Sequence, residues 1–267
     1  MMQAIDIVRQ SLSAALLSAM CFTTSPTLAA DRISTRVEVF GPLGIHVLTL
    51  RTVVDESPGR YALTIDYETV GLAELVADQR SHAQATGRID GVLAIPELFR
   101  AETRRNGTEF RDRLQYGRNG EVTADSTPSP ETPIAEALVR GTVDNLTAHF
   151  RLDRQVSAKK TCALMVAVFD GRHRYDLLFA DAGVETLTND SGQEFDGPAI
   201  ACRMRRQLRE ADSSEVEGAR QGTIWYAPLL AGGIAVPIRM TLETQIGTVR
   251  GFLAELHGPG SDLLLLK

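Results

Sequence analysis

The chain lacks a surplus of positive charge, since 28 basic residues stand against 34 acidic ones and the formal net charge is −6. A strongly basic nucleic-acid-binding protein is therefore excluded, because neutralising phosphates requires an excess of cationic side chains. Cysteine is scarce at three residues, which excludes a small scaffold held together by many disulfides. Hydrophobic residues make up 43% of the chain, and this fraction excludes a disordered polypeptide.

Long apolar runs are also missing, apart from one near the N-terminus, so a protein with several membrane-spanning helices is excluded. Residues 11–22 form that run, Arg9 precedes it and small residues follow at 27–30. This order is typical of a cleavable export signal over residues 1–30. We expect cleavage near Ala29 or Ala30, a periplasmic location and no transmembrane helix in the mature form. An N-terminal core helix is the alternative interpretation.

Loss of the signal would leave Cys162 and Cys202 as the cysteines of the mature chain. Two cysteines in an exported protein most simply form one disulfide. A pair of buried thiols or a redox pair is the alternative, although Cys-x-x-Cys is absent. Lipidation of Cys21 is a further alternative for the N-terminus. Zinc would need more ligands than the nearby His173 can supply, so the sequence predicts no metal site and no cofactor.

Apolar residues after the signal recur mainly with a period of two, which is typical of half-buried β-strands. Two short runs at 37–39 and 45–50 are separated by the turn signal Gly41-Pro42, and residues 61–70 alternate in the same way. A short helix is predicted at 71–78 and a loop at 125–132. The remaining predicted strands are 81–89, 99–103, 109–116, 163–169, 172–179, 199–208, 224–226, 233–242 and 247–256.

The strongest helical pattern covers residues 142–156, with Thr142 as the predicted N-cap and Asp144 near the positive helix end. A β-hairpin is predicted directly afterwards, because Asp170-Gly171 lies between two strand-like runs. About ten to twelve strands and two or three short helices predict a mainly β protein. We expect one domain over residues 31–267, built as an antiparallel curled sheet or half-open barrel.

Catalytic motifs are lacking: Gly-x-Ser-x-Gly, His-Glu-x-x-His and glycine-rich phosphate loops do not occur. Arg172 is a candidate ligand for an anionic headgroup or carboxylate, because guanidinium binds such groups. Tyr175, Trp225 and Tyr226 are further candidates for a ligand-binding surface. A structural role in the hairpin and in core packing is the simpler interpretation of all four. We interpret the arginine-rich segment at 203–209 as a face exposed to solvent.

Four features of the second half are similar to a family of proteobacterial envelope proteins catalogued as domain of unknown function 3108. They are the segment 144–150, Cys162 followed by Phe-Asp-Gly-Arg-His-Arg-Tyr-Asp-Leu at 169–177, Cys202, and the closing segments around 224–225, 236–239 and 247. Asn145 departs from the family pattern, where proline is common. The resemblance implies a periplasmic, mainly β, curled or half-open barrel with a disulfide, similar in general plan to lipoprotein carriers.

The function expected from these features is non-enzymatic support of the cell envelope. A concave sheet would bind a lipid, a lipoprotein or a segment of an envelope protein. One alternative is a periplasmic hydrolase that uses dispersed carboxylates such as Asp170 and Asp176. Another is an inert structural module. The sequence leaves the ligand and the oligomeric state open.

Overall fold

The computed structural model describes residues 31–75, 78–211, 221–244 and 247–266. The predicted export signal and Cys21 lie outside the described residues. Within them the chain forms a single antiparallel sheet. Its strands are β1 (Asp31–Phe40), β2 (His46–Ser57), β3 (Arg60–Thr69), β4 (Gln79–Asp90), β5 (Leu93–Arg105), β6 (Thr108–Tyr116), β7 (Val122–Thr127), β8 (Leu164–Phe169), β9 (His173–Leu187), β10 (Gly197–Ala211), β11 (Gln221–Pro228), β12 (Ala235–Thr244), β13 (Gly247–Gly258) and β14 (Ser261–Leu264).

The sheet is curled but not closed, as the sequence predicted for the fold class. Its order is β7-β6-β5-β4-β3-β2-β1-β13-β12-β11-β10-β9-β8, and β14 pairs with β13. The two edges approach each other through side chains. The Arg172 guanidinium, in the turn before β9, donates to the Pro128 carbonyl oxygen at 2.8 Å and lies 3.4 Å from the Asp112 carboxylate on β6. These contacts keep the two edges of the sheet close together, although β7 and β8 are not paired.

The long helix α2 (Asn145–Lys159) lies against the concave face and contacts β4, β5, β8 and β12. The predicted N-cap was wrong: Asp144 caps the helix by accepting from the Thr147 backbone N–H at 2.8 Å. The Thr142 hydroxyl donates instead to the Val139 carbonyl, at 2.6 Å. The helix therefore begins three residues later than predicted. A four-residue helix, α1 (Glu136–Val139), and three short 3₁₀ segments, Pro42–Gly44, Gly71–Leu75 and Ala231–Gly233, complete the helical elements.

The core is divided by the helix into two main clusters on the concave side. Ala148, Leu152 and Val156 of α2 pack against β8 to β12. Phe150, on another side of the same helix, packs against the apolar residues of β3 to β6. A third cluster, which includes Leu187 and Ile238, joins β9 to β13. The helix thus packs against both halves of the curled sheet, because its apolar face is wide enough to contact both halves.

The hairpin predicted around Asp170-Gly171 is confirmed as β8 and β9. Its turn is not of type I′ over Asp170 and Gly171, since Gly171 has a φ of 103° whereas the φ of Asp170 is negative. The Asp170 carboxylate accepts from the backbone N–H groups of Arg172 at 2.9 Å and His173 at 2.8 Å. The turn is therefore fixed by an aspartate side chain as well as by glycine.

The pairing of Cys162 with Cys202 is confirmed by a disulfide whose Cα atoms are 5.4 Å apart. It joins the segment that follows α2 to β10, and both residues are fully buried. The alternative of free buried thiols is not what the structure contains. The bond ties the helix exit to the sheet on which the helix lies.

Three sequence predictions about elements need correction. The loop expected at 125–132 begins inside β7, and β14 was not predicted, so the described residues form fourteen strands instead of ten to twelve. The helix expected at 71–78 is a 3₁₀ segment over Gly71–Leu75. The six residues of β7 include one buried apolar side chain, Val122, which explains why a period of two was not visible there.

Candidate binding cavity

A cavity of about 790 Å³ lies beside α2, between the helix and part of the concave face of the sheet. Successive residues of a strand face opposite sides, so alternate positions of β1 and β2 present aliphatic or threonine side chains to it. Most of its wall comes from β1 to β3 and β10 to β12, and the helix supplies the opposite side. The apolar side chains of the wall include Ile33, Val37, Leu50, Val54, Leu63, Ile65, Leu177, Met204, Ile224, Val236, Met240 and Leu242.

Polar groups of this cavity are concentrated on one side of α2. The Tyr226 hydroxyl of β11 donates to the Asp153 carboxylate at 2.8 Å. Loss of hydration, opposed by the tyrosine hydrogen bond and assisted by the nearby Glu56 carboxylate, raises the pKa of Asp153 to about 7. Asp153 is therefore a carboxyl group that titrates close to neutral pH inside an apolar space.

The helix contributes two more titratable side chains to the cavity wall. The Arg154 guanidinium pairs with Glu56 of β2 at 2.5 Å and donates to the Gly91 carbonyl at 2.7 Å, so its charge is already balanced. His149 lies edge-on to the Phe179 ring, with the ring centres 5.9 Å apart. Burial lowers the pKa of His149 to about 4, so its imidazole is neutral at pH 7.

A second cavity of about 560 Å³ adjoins the first. Both are lined by Ile65, Asn145, Leu146, Asp170 and Arg206, which therefore mark the junction between them. Charged side chains are a larger share of the second cavity's wall, and its additional residues include Arg172, His173 and Asp112. A chain bound in the first cavity would thus end beside charged groups of the second.

The structure brings together three of the four predicted ligand-binding residues. Tyr175 and Tyr226 line the large cavity, and Arg172 lines the adjoining one. Trp225 faces the other side of β11, where its indole N–H donates to the Glu185 carboxylate at 2.9 Å. The strand alternation that directs Tyr226 inward directs its neighbour outward.

Sequence reasoning missed the two charged residues that matter most for the cavity. Asp153 lies in the middle of the helix, where its exposure depends on how the helix packs against the sheet. Arg206 was grouped with a solvated basic cluster, yet its guanidinium lies over the Tyr175 ring at 4.1 Å and lines both cavities. The signal for Arg206 was its spacing from Cys202, since residues two and four positions beyond a buried cysteine share its face.

The dispersed carboxylates of the hydrolase hypothesis do not share a site. Asp170 caps the hairpin turn and lies within 3.3 Å of the His173 ring. Asp176 is held by two arginines of the outer face, Arg174 at 2.7 Å and Arg209 at 2.9 Å. These ion pairs hold the pKa of Asp176 below its usual value. In the part of the chain that the structure describes, no three His, Cys, Asp or Glu side chains converge as a metal site would require.

Comparison with known proteins places the chain in a family. A family model described as "Protein of unknown function (DUF3108)" matches residues 34–254. The chain belongs to the DUF3108 family. No curated protein matches the sequence. Among solved structures, the chain is similar to a beta-barrel-like protein of domain of unknown function DUF1849 from Brucella abortus, with 14% identity and a TM-score of 0.48 over 88% of this chain and 99% of that one.

The DUF3108 sequence features recognised in this chain surround the cavity. The segment 144–150 forms the start of α2, whose Asn145 and Leu146 lie at the junction of the two cavities. The hairpin segment 169–177 supplies Tyr175 to the wall. Among the described residues, no helix is long and apolar enough to cross a bilayer.

Proposed function

We propose that the protein binds the hydrocarbon chain of a lipid, or of the lipid part of a lipoprotein, between α2 and the curled sheet. The observation that carries the proposal is the cavity of about 790 Å³ with aliphatic walls. Its size is within the range of about 300–1,000 Å³ that is usual for small-molecule sites. Removing a hydrocarbon chain from water supplies the affinity, at about 0.8 kcal/mol for each buried methylene.

The proposed role is non-enzymatic support of the cell envelope, carried out in the periplasm. The export-signal pattern over residues 1–30 supports the location. Cell fractionation followed by N-terminal sequencing tests it, with a mature N-terminus at Ala30 or Asp31 as the expected result. Full-length protein in the cytoplasmic fraction would contradict the location without affecting the cavity.

Binding is tested by displacement of a fluorescent fatty-acid probe from the purified mature chain. Affinity for saturated fatty acids should rise about fourfold per methylene, which is the factor that about 0.8 kcal/mol gives, until the cavity is full. An affinity that does not depend on chain length would contradict hydrocarbon binding.

A cavity-blocking variant locates the binding. Thr52 of β2 lines the cavity, whereas its neighbour Arg51 is exposed on the opposite face. Thr52→Trp should abolish probe binding because the indole fills part of the space, and Arg51→Trp is the matched control that should bind as the wild type does. Equal binding by both variants would place the probe elsewhere.

A further inference from the structure

Arg206 is placed where a bound chain would leave the large cavity. It lies on β10 on the same side as Cys202 and Met204, and it lines both cavities. Its neighbour Arg205 is exposed on the opposite side of the strand. The charge of Arg206 is therefore directed into the protein, while that of Arg205 faces solvent.

The Arg206 guanidinium is positioned but not neutralised. It lies over the ring of Tyr175 at 4.1 Å, which fixes its plane. Within the described ranges its buried Nε makes no hydrogen bond, and none of the ion pairs formed there includes it. A buried donor without an acceptor is unfavourable, so an acceptor supplied by a ligand would be strongly preferred there.

The acidic side chains at the junction are already engaged. Asp170 accepts from two backbone N–H groups of its turn and lies 3.3 Å from the ring of His173. Asp112 lies 3.4 Å from the Arg172 guanidinium. The other arginine of the large cavity, Arg154, is paired with Glu56. Arg172 and Arg154 are thus paired with carboxylates, whereas no ion pair seen among the described residues includes Arg206.

We propose that the junction of the two cavities binds the anionic headgroup of the lipid, a carboxylate or a phosphate, with Arg206 as its principal ligand. The inference rests on the proposed function, because the hydrocarbon chain would occupy the large cavity. A guanidinium presents a planar fork of donors that matches both anions. The first turn of α2 also reaches this junction through Asn145 and Leu146, but the Asp144 carboxylate already caps the helix, so Arg206 supplies the positive charge.

The test compares ligands with the same hydrocarbon chain and different headgroups at pH 8. Palmitate carries a carboxylate, hexadecanol is neutral and hexadecyltrimethylammonium is cationic. Each competes with the fluorescent probe on the wild-type mature chain. Wild-type protein should bind palmitate roughly tenfold to a hundredfold more tightly than hexadecanol, as expected for a hydrogen bond to a charged group, and should bind the cationic ligand most weakly.

The variant Arg206→Gln should lose the preference for palmitate and keep the affinity for hexadecanol. Arg206→Lys should retain part of the preference because it keeps the charge without the planar fork. Arg205→Gln is the matched control and should behave as the wild type does. Thermal unfolding of each variant verifies that the fold is intact, and the lysine variant provides the comparison if the glutamine variant is unstable.

The outcomes separate this inference from the proposed function. Failure of every ligand to compete would overturn chain binding itself. Equal affinity for palmitate and hexadecanol, unchanged by Arg206→Gln, would overturn the headgroup site and leave chain binding standing. Inorganic phosphate alone serves as the last probe. Phosphate binding as tight as that of palmitate and dependent on Arg206 would show a free-anion site and overturn the assignment to a lipid headgroup.

Discussion

At the scale of single residues, Asp144 connects the helix to the sheet. Its fully buried carboxylate accepts from the Thr147 backbone N–H at 2.8 Å and from the Thr147 hydroxyl at 2.7 Å. The same hydroxyl lies 2.9 Å from the Tyr61 hydroxyl of β3. A single side chain therefore starts the helix and orders the group that ties it to the opposite strand.

Asp144→Ala should lower the free energy of unfolding by about 2 kcal/mol, because it removes the helix cap and leaves buried donors of Thr147 without acceptors. Urea unfolding monitored by circular dichroism measures the change. Lys159→Ala, at the exposed C-terminal end of the same helix, is the control and should change stability by less than about 0.5 kcal/mol. Equal effects of the two substitutions would contradict the capping role.

Asp153 gives stability a pH dependence of defined sign. Its pKa rises from 3.8 to about 7 on folding, so the folded state binds the proton more tightly than the unfolded chain does. The contribution is fully present below pH 3.8 and is lost as the pH rises through about 7. His149 acts in the opposite direction, because its pKa falls from 6.5 to about 4 on folding. Its contribution to stability is lost as the pH falls.

The variant Asp153→Asn isolates the aspartate, because asparagine can still accept the Tyr226 hydrogen bond without ionising. Relative to the wild type, it should gain at least about 1 kcal/mol between pH 4 and pH 8, the equivalent of roughly one pKa unit. Urea unfolding at a series of pH values measures the difference between the two proteins, from which the histidine contribution cancels. A constant difference across that range would contradict the assignment.

Residue-scale features could be predicted from the sequence where local chemistry decides them. Tyr175 and Tyr226 were identified as ligand candidates, and Asp144 was placed at the positive end of the helix. Arg206 could be separated from Arg205 only through its spacing from Cys202, because the face of each residue depends on register. The pairing of β10 with β9 shifts between Ile200 and Cys202 and again between Leu208 and Glu210, and such irregularities are not visible in a pattern of period two.

At the scale of elements, the disulfide holds the exit of α2 on β10. It closes a loop with a sequence separation of 40 residues. Chain entropy predicts a stabilisation of about 4 kcal/mol for a loop of this size. Because Cys202 shares a strand with Met204 and Arg206, the bond also anchors the strand that forms one wall of the large cavity.

The double variant Cys162→Ser/Cys202→Ser should therefore have a free energy of unfolding about 4 kcal/mol lower than that of the oxidised protein. Urea unfolding of the wild type, with and without reductant, provides the parallel measurement. Reduction should add the mass of two hydrogens to the intact protein and lower its stability to nearly that of the double variant. Equal stability of the oxidised and reduced wild type would contradict the structural role of the bond.

Elements with strong local signals were predicted well, and those formed by long-range contacts were not. The hairpin of β8 and β9 follows from Asp170-Gly171, and the strands predicted at 99–103 and 109–116 fall within β5 and β6. By contrast, β7 is a mostly polar edge strand and β14 has four residues. Both are defined by the strands they pair with, so their own side chains carry little information about them.

At the scale of the whole molecule, the curled sheet and the helix together define the cavity. The pairing of β1 with β13 joins the first described strand to one of the last in the middle of the sheet, and side-chain contacts of Arg172 bring the outer strands together. Mainly antiparallel β structure and curling followed from strand count and spacing. The cavity did not, because its volume depends on how far α2 stands from the sheet, which is a result of packing between distant segments.

Photolabelling tests hydrocarbon binding in this cavity most directly. A fatty acid with a diazirine at the end of its chain would be bound to the mature protein, irradiated and mapped by peptide mass spectrometry. The adducts should fall on the inward side chains of β1 to β3 and α2 that lie away from the junction, such as Leu50, Val54 and Ser157, and excess palmitate should suppress them. Adducts confined to exposed apolar residues of the exterior, such as Met165 and Val184, would contradict the account.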